Sequence, residues 1–337
     1  MSTASRVVVV TGSSSGIGQC IARAFAQRGD SVVVHGFQNL AGLSQSARLV
    51  SESGADVRAI VADVSNVDSS RQLVQAAFAW QGRVDVWINA AGADVLTGAA
   101  SKLGFEEKLD RLWKTDVLGT IRISRAVASR MMEQQGLMRT SNTKACTHPE
   151  DEQTPSNTSA LSPGVSGESG PSVQAIQPLT PQPPLPEDGE RGRNVSDEKP
   201  RLNSPSSFAS QRRSASDALP TIINLSWDQA EAGFEGDSGQ FFSPTKAAIA
   251  AFSKSLAKSV GPKVRVNCIA PGWIQTAWGT TASEAWERRA QGESILARWG
   301  QPSDIANAAF MLASRECEFI NGQTIAVNGG WKPLNAT

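Results

Sequence analysis

Arg6-Val7-Val8-Val9-Val10-Thr11-Gly12-Ser13-Ser14-Ser15-Gly16-Ile17-Gly18 is the stretch whose reading decides the fold. Its four consecutive valines imply a strand buried on both faces, as in a parallel sheet. A helical period takes over across residues 17–28. Glycines at 12, 16 and 18 permit a tight turn, close approach of the backbone to a pyrophosphate, and helix-on-strand packing. The helix N-terminus adds N–H donors and positive potential. Set between a strand and a helix, Gly12, Ser14, Ser15, Gly16, Ile17 and Gly18 form a dinucleotide cradle.

Outward from the cradle, a second strand (31–36) ends at Gly36-Phe37-Gln38-Asn39, where the adenosine ribose is expected. An acid there selects NAD and an arginine NADP. Neither is present; absence of the acid favours NADP without fixing the choice. A strand at 56–61 leads to Asp63-Val64, and after a helix at 67–82 another strand, 84–88, leads to Asn89-Ala90-Ala91-Gly92. Open α/β sheets bind ligands at these carboxyl ends. The alternatives are a turn carboxylate for Asp63 and a structural turn asparagine for Asn89.

Further on, Phe242-Ser243-Pro244-Thr245-Lys246 opens a helix at 241–260 whose apolar period runs through Ala247, Ala250, Phe252, Leu256 and Val260. Phe242 and Lys246, at i and i+4, share a helix face. The chain contains no tyrosine.

The 337 residues carry 32 basic and 32 acidic side chains, a balance that asks for neither nucleic acid nor an anionic membrane. No apolar run near Met1 has signal-peptide or spanning length, so a cytoplasmic protein is expected. Cys20, Cys146, Cys268 and Cys317 lack paired spacing, and His35 and His148 are the only histidines. Reduced thiols and no metal centre are the reading.

Taken together, Thr11-Gly-x-x-x-Gly16-x-Gly18, Asp63-Val64, Asn89-Ala-Ala-Gly92, the aromatic-x-x-x-Lys246, Pro271-Gly272-Trp273-Ile274-Gln275-Thr276 and Asn328-Gly329-Gly330 resemble the short-chain dehydrogenase/reductase family. The resemblance implies one doubly wound Rossmann-type α/β domain, with a parallel sheet of about seven strands flanked by helices and NAD or NADP as cofactor. It also implies a homodimer or homotetramer joined through the helices at 105–134 and 241–260. It places Gly12, Ile17 and Gly18 at the pyrophosphate, Phe37, Asp63 and Val64 at the adenosine, and Asn89, Ala90 and Gly92 by its ribose. Pro271, Gly272, Ile274 and Thr276 fall at the nicotinamide amide, and Lys246 at its ribose.

Three positions depart from the family pattern. Phe242 stands where a tyrosine passes the proton, and Trp227 where a serine polarises the substrate carbonyl, with Ser226 its neighbour. Asp116 replaces an asparagine that holds a relay water. Along the helix at 105–134, Trp113, Val117, Ile121 and Val127 read as one apolar side. Residues 137–218, rich in Pro, Ser and Gln, bury too little apolar surface to offset chain entropy and read as a disordered insertion, solvated or partner-docking. The domain is therefore expected over 1–136 and 219–337. Trp273, Trp278 and Trp286 in the 273–296 segment line a pocket or pack a lid.

Loss of the tyrosine hydroxyl removes a general acid worth about 10²–10⁴-fold in rate. Two readings follow. One is an NAD(P)(H)-dependent oxidoreductase for a small carbonyl/alcohol pair, its proton route rebuilt around Lys246, Ser226, Asp116, Asp228, Asp237 or Ser243. The other is a catalytically silent NAD(P)-binding sensor or partner subunit.

Overall fold

The valines of β1 (Val7–Thr11) are at most 1% exposed and alternate between two cores, as the strand period requires. Val7 and Val9 join Leu73, Phe78, Trp87, Ile123 and Met131 on one side of the sheet. Val8 and Val10 join Ile21, Phe25, Ile88, Ile269 and Ile305 on the other. Burying each valine contributes about 1.5–3 kcal/mol. The computed structural model describes residues 5–144, 218–277 and 279–332.

In chain order β1 is followed by α1 (Gly16–Ala26), β2 (Ser31–Gly36), α2 (Leu40–Ser51), β3 (Val57–Val61), α3 (Val67–Gln81) and β4 (Val86–Asn89). Then come α4 (Phe105–Leu112), α5 (Gly119–Lys144), β5 (Thr221–Leu225), α6 (Gly236–Val260), β6 (Arg265–Pro271), α7 (Glu284–Glu293), α8 (Pro302–Leu312) and β7 (Thr324–Val327). The seven strands form one parallel sheet in the order β3-β2-β1-β4-β5-β6-β7. The order reverses between β1 and β4, which opens a crevice at their carboxyl ends.

The expected helix at 105–134 is not continuous. A π-helical turn, Trp113–Leu118, separates α4 from α5, and such turns shift every later side chain round the axis. In the single chain Asp116 is buried at 2% exposure and Val117 and Val127 are buried, while Trp113 is 41% exposed. Helix α5 also runs past residue 136, to Lys144. Residues 145–217 of the expected insertion, with Cys146 and His148, lie outside the described residues, as does Trp278.

Helix α6 begins at Gly236, five residues earlier than the sequence period indicates, and contains Pro244. Proline has no N–H for the carbonyl one turn back. Next to it, the Thr245 hydroxyl lies 2.9 Å from both the Phe241 and the Phe242 carbonyl and donates into that disturbed turn. The turn that carries Phe242 is held from inside the helix.

Candidate functional site

The cradle is built as its glycines require. Gly12 has φ +65°, and a Cβ there would lie 2.5 Å from the Ala91 Cα; a Cβ on Gly18 would lie 2.4 Å from the Gly12 carbonyl oxygen. Gly16, at φ +54°, faces Thr276, whose Cγ2 would be 3.7 Å from an added Cβ. The Ser15 side chain makes no cap bond, so the N–H groups of the first turn of α1 remain unspent. Unspent donors over a glycine floor suit a pyrophosphate. The structure thus brings Gly12, Ser14, Ser15, Gly16, Ile17, Gly18 and Thr276 to one end of the sheet.

His35, invisible as a functional residue in the sequence, anchors this turn. Its Nδ1 accepts from the Gly12 N–H at 3.1 Å, and its Nε2–H donates to the Ala62 carbonyl at 3.0 Å. Ser13 adds a hydroxyl bond to the Val10 carbonyl and accepts from the His35 N–H. Burial pushes the His35 pKa down from 6.5 to about 4. Unfolded chain therefore binds the proton first, and stability present above pH 6.5 is lost as pH falls through 4, by about 3 kcal/mol. Urea titrations from pH 8 to 4 should show that slope in the parent and not in His35→Gln; equal slopes would refute it.

At the adenosine end, Phe37 is 47% exposed. Asn39 caps α2 by accepting from the Gly42 N–H at 2.9 Å, and residues 36–39 carry no charge. Asp63 uses one oxygen to accept from the Ser65 N–H and hydroxyl, at 2.9 and 2.7 Å, and Val64 is buried beside it. The side chain of Asn89 is held within the fold. Its oxygen accepts from Trp87 Nε1, and its amide donates to Ser124 Oγ at 2.9 Å and Asn224 Oδ1 at 2.8 Å. Both amide hydrogens are spent in the interior. The N–H groups of Ala90 and Ala91 are held by Thr11 Oγ1, each at 3.1 Å. The Ile274 side chain packs in the core, leaving its backbone at the site.

Lys246 does not stand free. Its Nζ donates to Asp116 Oδ2 at 2.8 Å, while Asp116 Oδ1 accepts from the Ala93 N–H at 2.8 Å. A Cβ on Gly92 would lie 3.1 Å from that Oδ2, so the neighbouring glycine makes room for the carboxylate. In place of a residue holding a relay water, position 116 supplies a direct ion pair, with the two side chains 17% and 2% exposed. Ser226 is also committed, its hydroxyl donating to the Lys246 carbonyl at 2.7 Å. Phe242 lies against Phe241 and the edge of Trp227, at centroid distances of 5.0 and 6.3 Å. Ala93, Val95, Phe105, Leu109 and Leu112 complete an apolar surround.

Beyond Trp227 the rings continue. Trp227 meets Phe234 at 5.5 Å, Phe234 meets Trp273 at 6.0 Å, and Trp273 meets Trp286 at 5.4 Å. Arg289 of α7 lies over the Phe234 ring at 4.3 Å, pairs with Glu293 at 2.8 Å, and reaches Glu235 as well. Glu293, buried at 4%, accepts from Trp273 Nε1 at 2.7 Å and Gln229 Nε2 at 3.4 Å. The tryptophans therefore pack a latch between α7 and the loop after β5. Sequence reasoning missed Arg289 and Glu293; their i, i+4 spacing was the available signal. A cavity of about 420 Å³ is bounded by Gln275, Gln291, Arg298 and Asp304, and neither Phe242 nor Lys246 lines it.

Asp228 accepts from Asn328 Nδ2 at 2.9 Å, while its buried Oδ1 has no partner. Burial pushes the carboxyl up from 3.8 to about 6, against the bonds from Asn328 and the Gln229 backbone. Above pH 6 the ionised form carries a penalty, relieved as pH falls towards 3.8. Asp228→Asn should gain about 2–3 kcal/mol at pH 8 and nothing at pH 4. Chemical denaturation at the two pH values checks this, and a pH-independent difference would refute it.

Among the described residues no cluster of His, Cys, Asp and Glu could hold a metal ion, and no helix is long and apolar enough to cross a membrane. Residues 6–138 match the family model described as short chain dehydrogenase, and residues 202–332 the one described as enoyl-(acyl carrier protein) reductase. An oxidoreductase of Methylorubrum extorquens is 27% identical over 329 residues, covering 96% of this chain and 97% of that protein. A 3-oxoacyl-[acyl-carrier-protein] reductase of Chlamydia muridarum is likewise 27% identical over 329 residues, covering 96% of each. Among solved structures, a short-chain dehydrogenase/reductase of Serratia marcescens superposes with a TM-score of 0.65 at 20% identity, covering 96% of this chain and 97% of that one. A variant actinorhodin polyketide ketoreductase solved with NADPH gives 0.65 at 20% identity, covering 99% and 98%. The structural likenesses show the fold, and the two family matches between them take in most of the sequence. The chain belongs to the short-chain dehydrogenase/reductase family.

Proposed function

We propose that the protein is an NAD(P)(H)-dependent oxidoreductase for a small carbonyl/alcohol pair, working without an acid at the tyrosine position. The observation that carries this reading is Lys246, one turn beyond Phe242, which spends a single N–H on Asp116 and keeps two for a ribose diol. A bound nicotinamide supplies or takes up the hydride. The first turn of α1 binds the pyrophosphate, Lys246 orients the ribose, and the Phe242 and Trp227 rings flank the substrate. No group at position 242 moves a proton, so the oxygen exchanges its proton with solvent. NADP is the favoured dinucleotide, since residues 36–39 carry no acid. A cytoplasmic homodimer or homotetramer joined through α4–α5 and α6 is the expected setting.

The ion pair at 2.8 Å favours a second reading, a silent NAD(P)-binding sensor or partner subunit, because it occupies the lysine with no substrate present. Deuteride transfer separates the two. The chain is incubated with 4-deuterated NADPH or NADH and ketones, aldehydes or 3-oxoacyl thioesters, the last suggested by the named relatives. Deuterium in a product is expected. Tight dinucleotide binding with no deuterium in any product leaves only the second reading.

A further inference from the structure

We propose that the indole Nε1–H of Trp227 is the hydrogen-bond donor to the substrate oxygen; this rests on the oxidoreductase reading. The argument is a census of donors around Phe242. The Ser226 hydroxyl gives its hydrogen to the Lys246 carbonyl. Asn89 donates to Ser124 and Asn224, Asn224 donates to Ser253, and both amides are buried. Gln229 and Trp273 Nε1 both donate to Glu293. Ser243 has a hydroxyl without a partner, but the atom is sealed from solvent and from anything entering with it. Among the described residues Trp227 has ring contacts with Phe234 and Phe242 and no hydrogen-bond partner, and it is half-buried. Lys246 keeps its remaining N–H groups for the ribose, and the Trp227 N–H is an unspent, accessible donor at the end of β5, beside the face that Phe242 and Lys246 share.

An indole N–H donates and does not accept, and it keeps its proton. It can stabilise an oxyanion without protonating it, which is what a site without an acid at 242 needs. In the reductive direction a hydride from a reduced nicotinamide dinucleotide bonds to the carbonyl carbon, and the π pair moves to oxygen. The oxyanion, held by Trp227 Nε1–H, then takes a proton from water, releasing hydroxide to the buffer. The dinucleotide leaves oxidised, so two electrons and one proton are accounted for. The edge-on Trp227 and Phe242 rings favour flat or ring-bearing carbonyls.

The test uses the full chain labelled with ¹⁵N, whose nine tryptophans give separate indole signals. Trp227 is assigned as the signal missing from Trp227→Phe, a variant that keeps an aromatic ring. NADP⁺ is added to saturation, followed by cyclohexanecarboxamide, an unreducible carbonyl. The expected result is a downfield shift of the Trp227 indole proton that saturates with the amide. Trp227→Phe should keep its thermal midpoint and NADP⁺ affinity, lose about tenfold in amide affinity and lose about 10²-fold in kcat. Saturable amide binding that leaves the Trp227 signal in place, undiminished amide affinity in Trp227→Phe, or no amide binding to the NADP⁺-loaded chain would each overturn the proposal. Should NADP⁺ not bind, NAD⁺ takes its place in the test, and failure of both to bind would instead overturn the oxidoreductase reading on which it rests.

Discussion

Lys246→Met should lower the unfolding free energy by about 3–5 kcal/mol, and Asp116→Asn combined with it should restore all but about 1 kcal/mol. Asp116 is buried at 2% exposure on the π-turn, and among the described residues Lys246 Nζ is its only charged hydrogen-bond partner. Removing the ammonium leaves a carboxylate in an apolar surround with the Ala93 N–H alone. Losing one partner of a buried pair costs far more than losing both. An asparagine at 116 still accepts from Ala93, and a methionine at 246 fills the space of the lysine stem. For a domain of this size the single variant should melt roughly 10 °C lower. A melting point unchanged in Lys246→Met would show that the pair contributes nothing to the fold. A double variant no better than the single would show that the lysine acts through its packing and not its charge.

The second large effect concerns the missing hydroxyl. Phe242→Tyr should raise carbonyl reduction by about 10²–10⁴-fold, the usual worth of a positioned general acid. Phe242 already lies on the helix face of Lys246, against Phe241 at 5.0 Å and Trp227 at 6.3 Å, so a tyrosine ring needs no new space. Its hydroxyl needs a cation to lower its pKa, and Asp116 draws Lys246 away. Phe242→Tyr with Asp116→Asn should therefore exceed Phe242→Tyr alone. Single-turnover rates with NADPH and a generic ketone decide the matter. If neither variant gains rate while binding NADPH as the parent does, a tyrosine at 242 is not what the site lacks, and the indole at 227 becomes the element to replace.

How much of this was readable in the chain depends on the range of the interaction. The valine run, the glycine turn and the small residues after each strand encode local backbone demands, and the sheet and cradle follow from them. Asn89 could not be read that way, because its partners Ser124 and Asn224 stand 35 and 135 residues away. The π-turn was hidden because it breaks the helical period for a single turn. The exchange of a water-holding residue for an ion pair also escaped notice. Asp116 and Lys246 are each legible as site residues, but they are 130 residues apart, and only the fold makes them partners. Arg289 and Glu293 were legible as a helical pair but not as a latch, since Phe234 and Trp273 come from other segments.

The pairing of β4 with β5 sets a timetable for synthesis. Val86 to Asn89 hydrogen-bond to Thr221 to Asn224, more than 130 residues later. At ribosomal speeds that separation lasts on the order of ten seconds. During it, the edge of β4 carrying Val86, Trp87 and Ile88 waits without the strand that will cover it, an apolar template open to other chains. A nascent chain of this protein should therefore depend on chaperones until β5 emerges, and chains arrested before Thr221 should aggregate where full-length chains stay in solution.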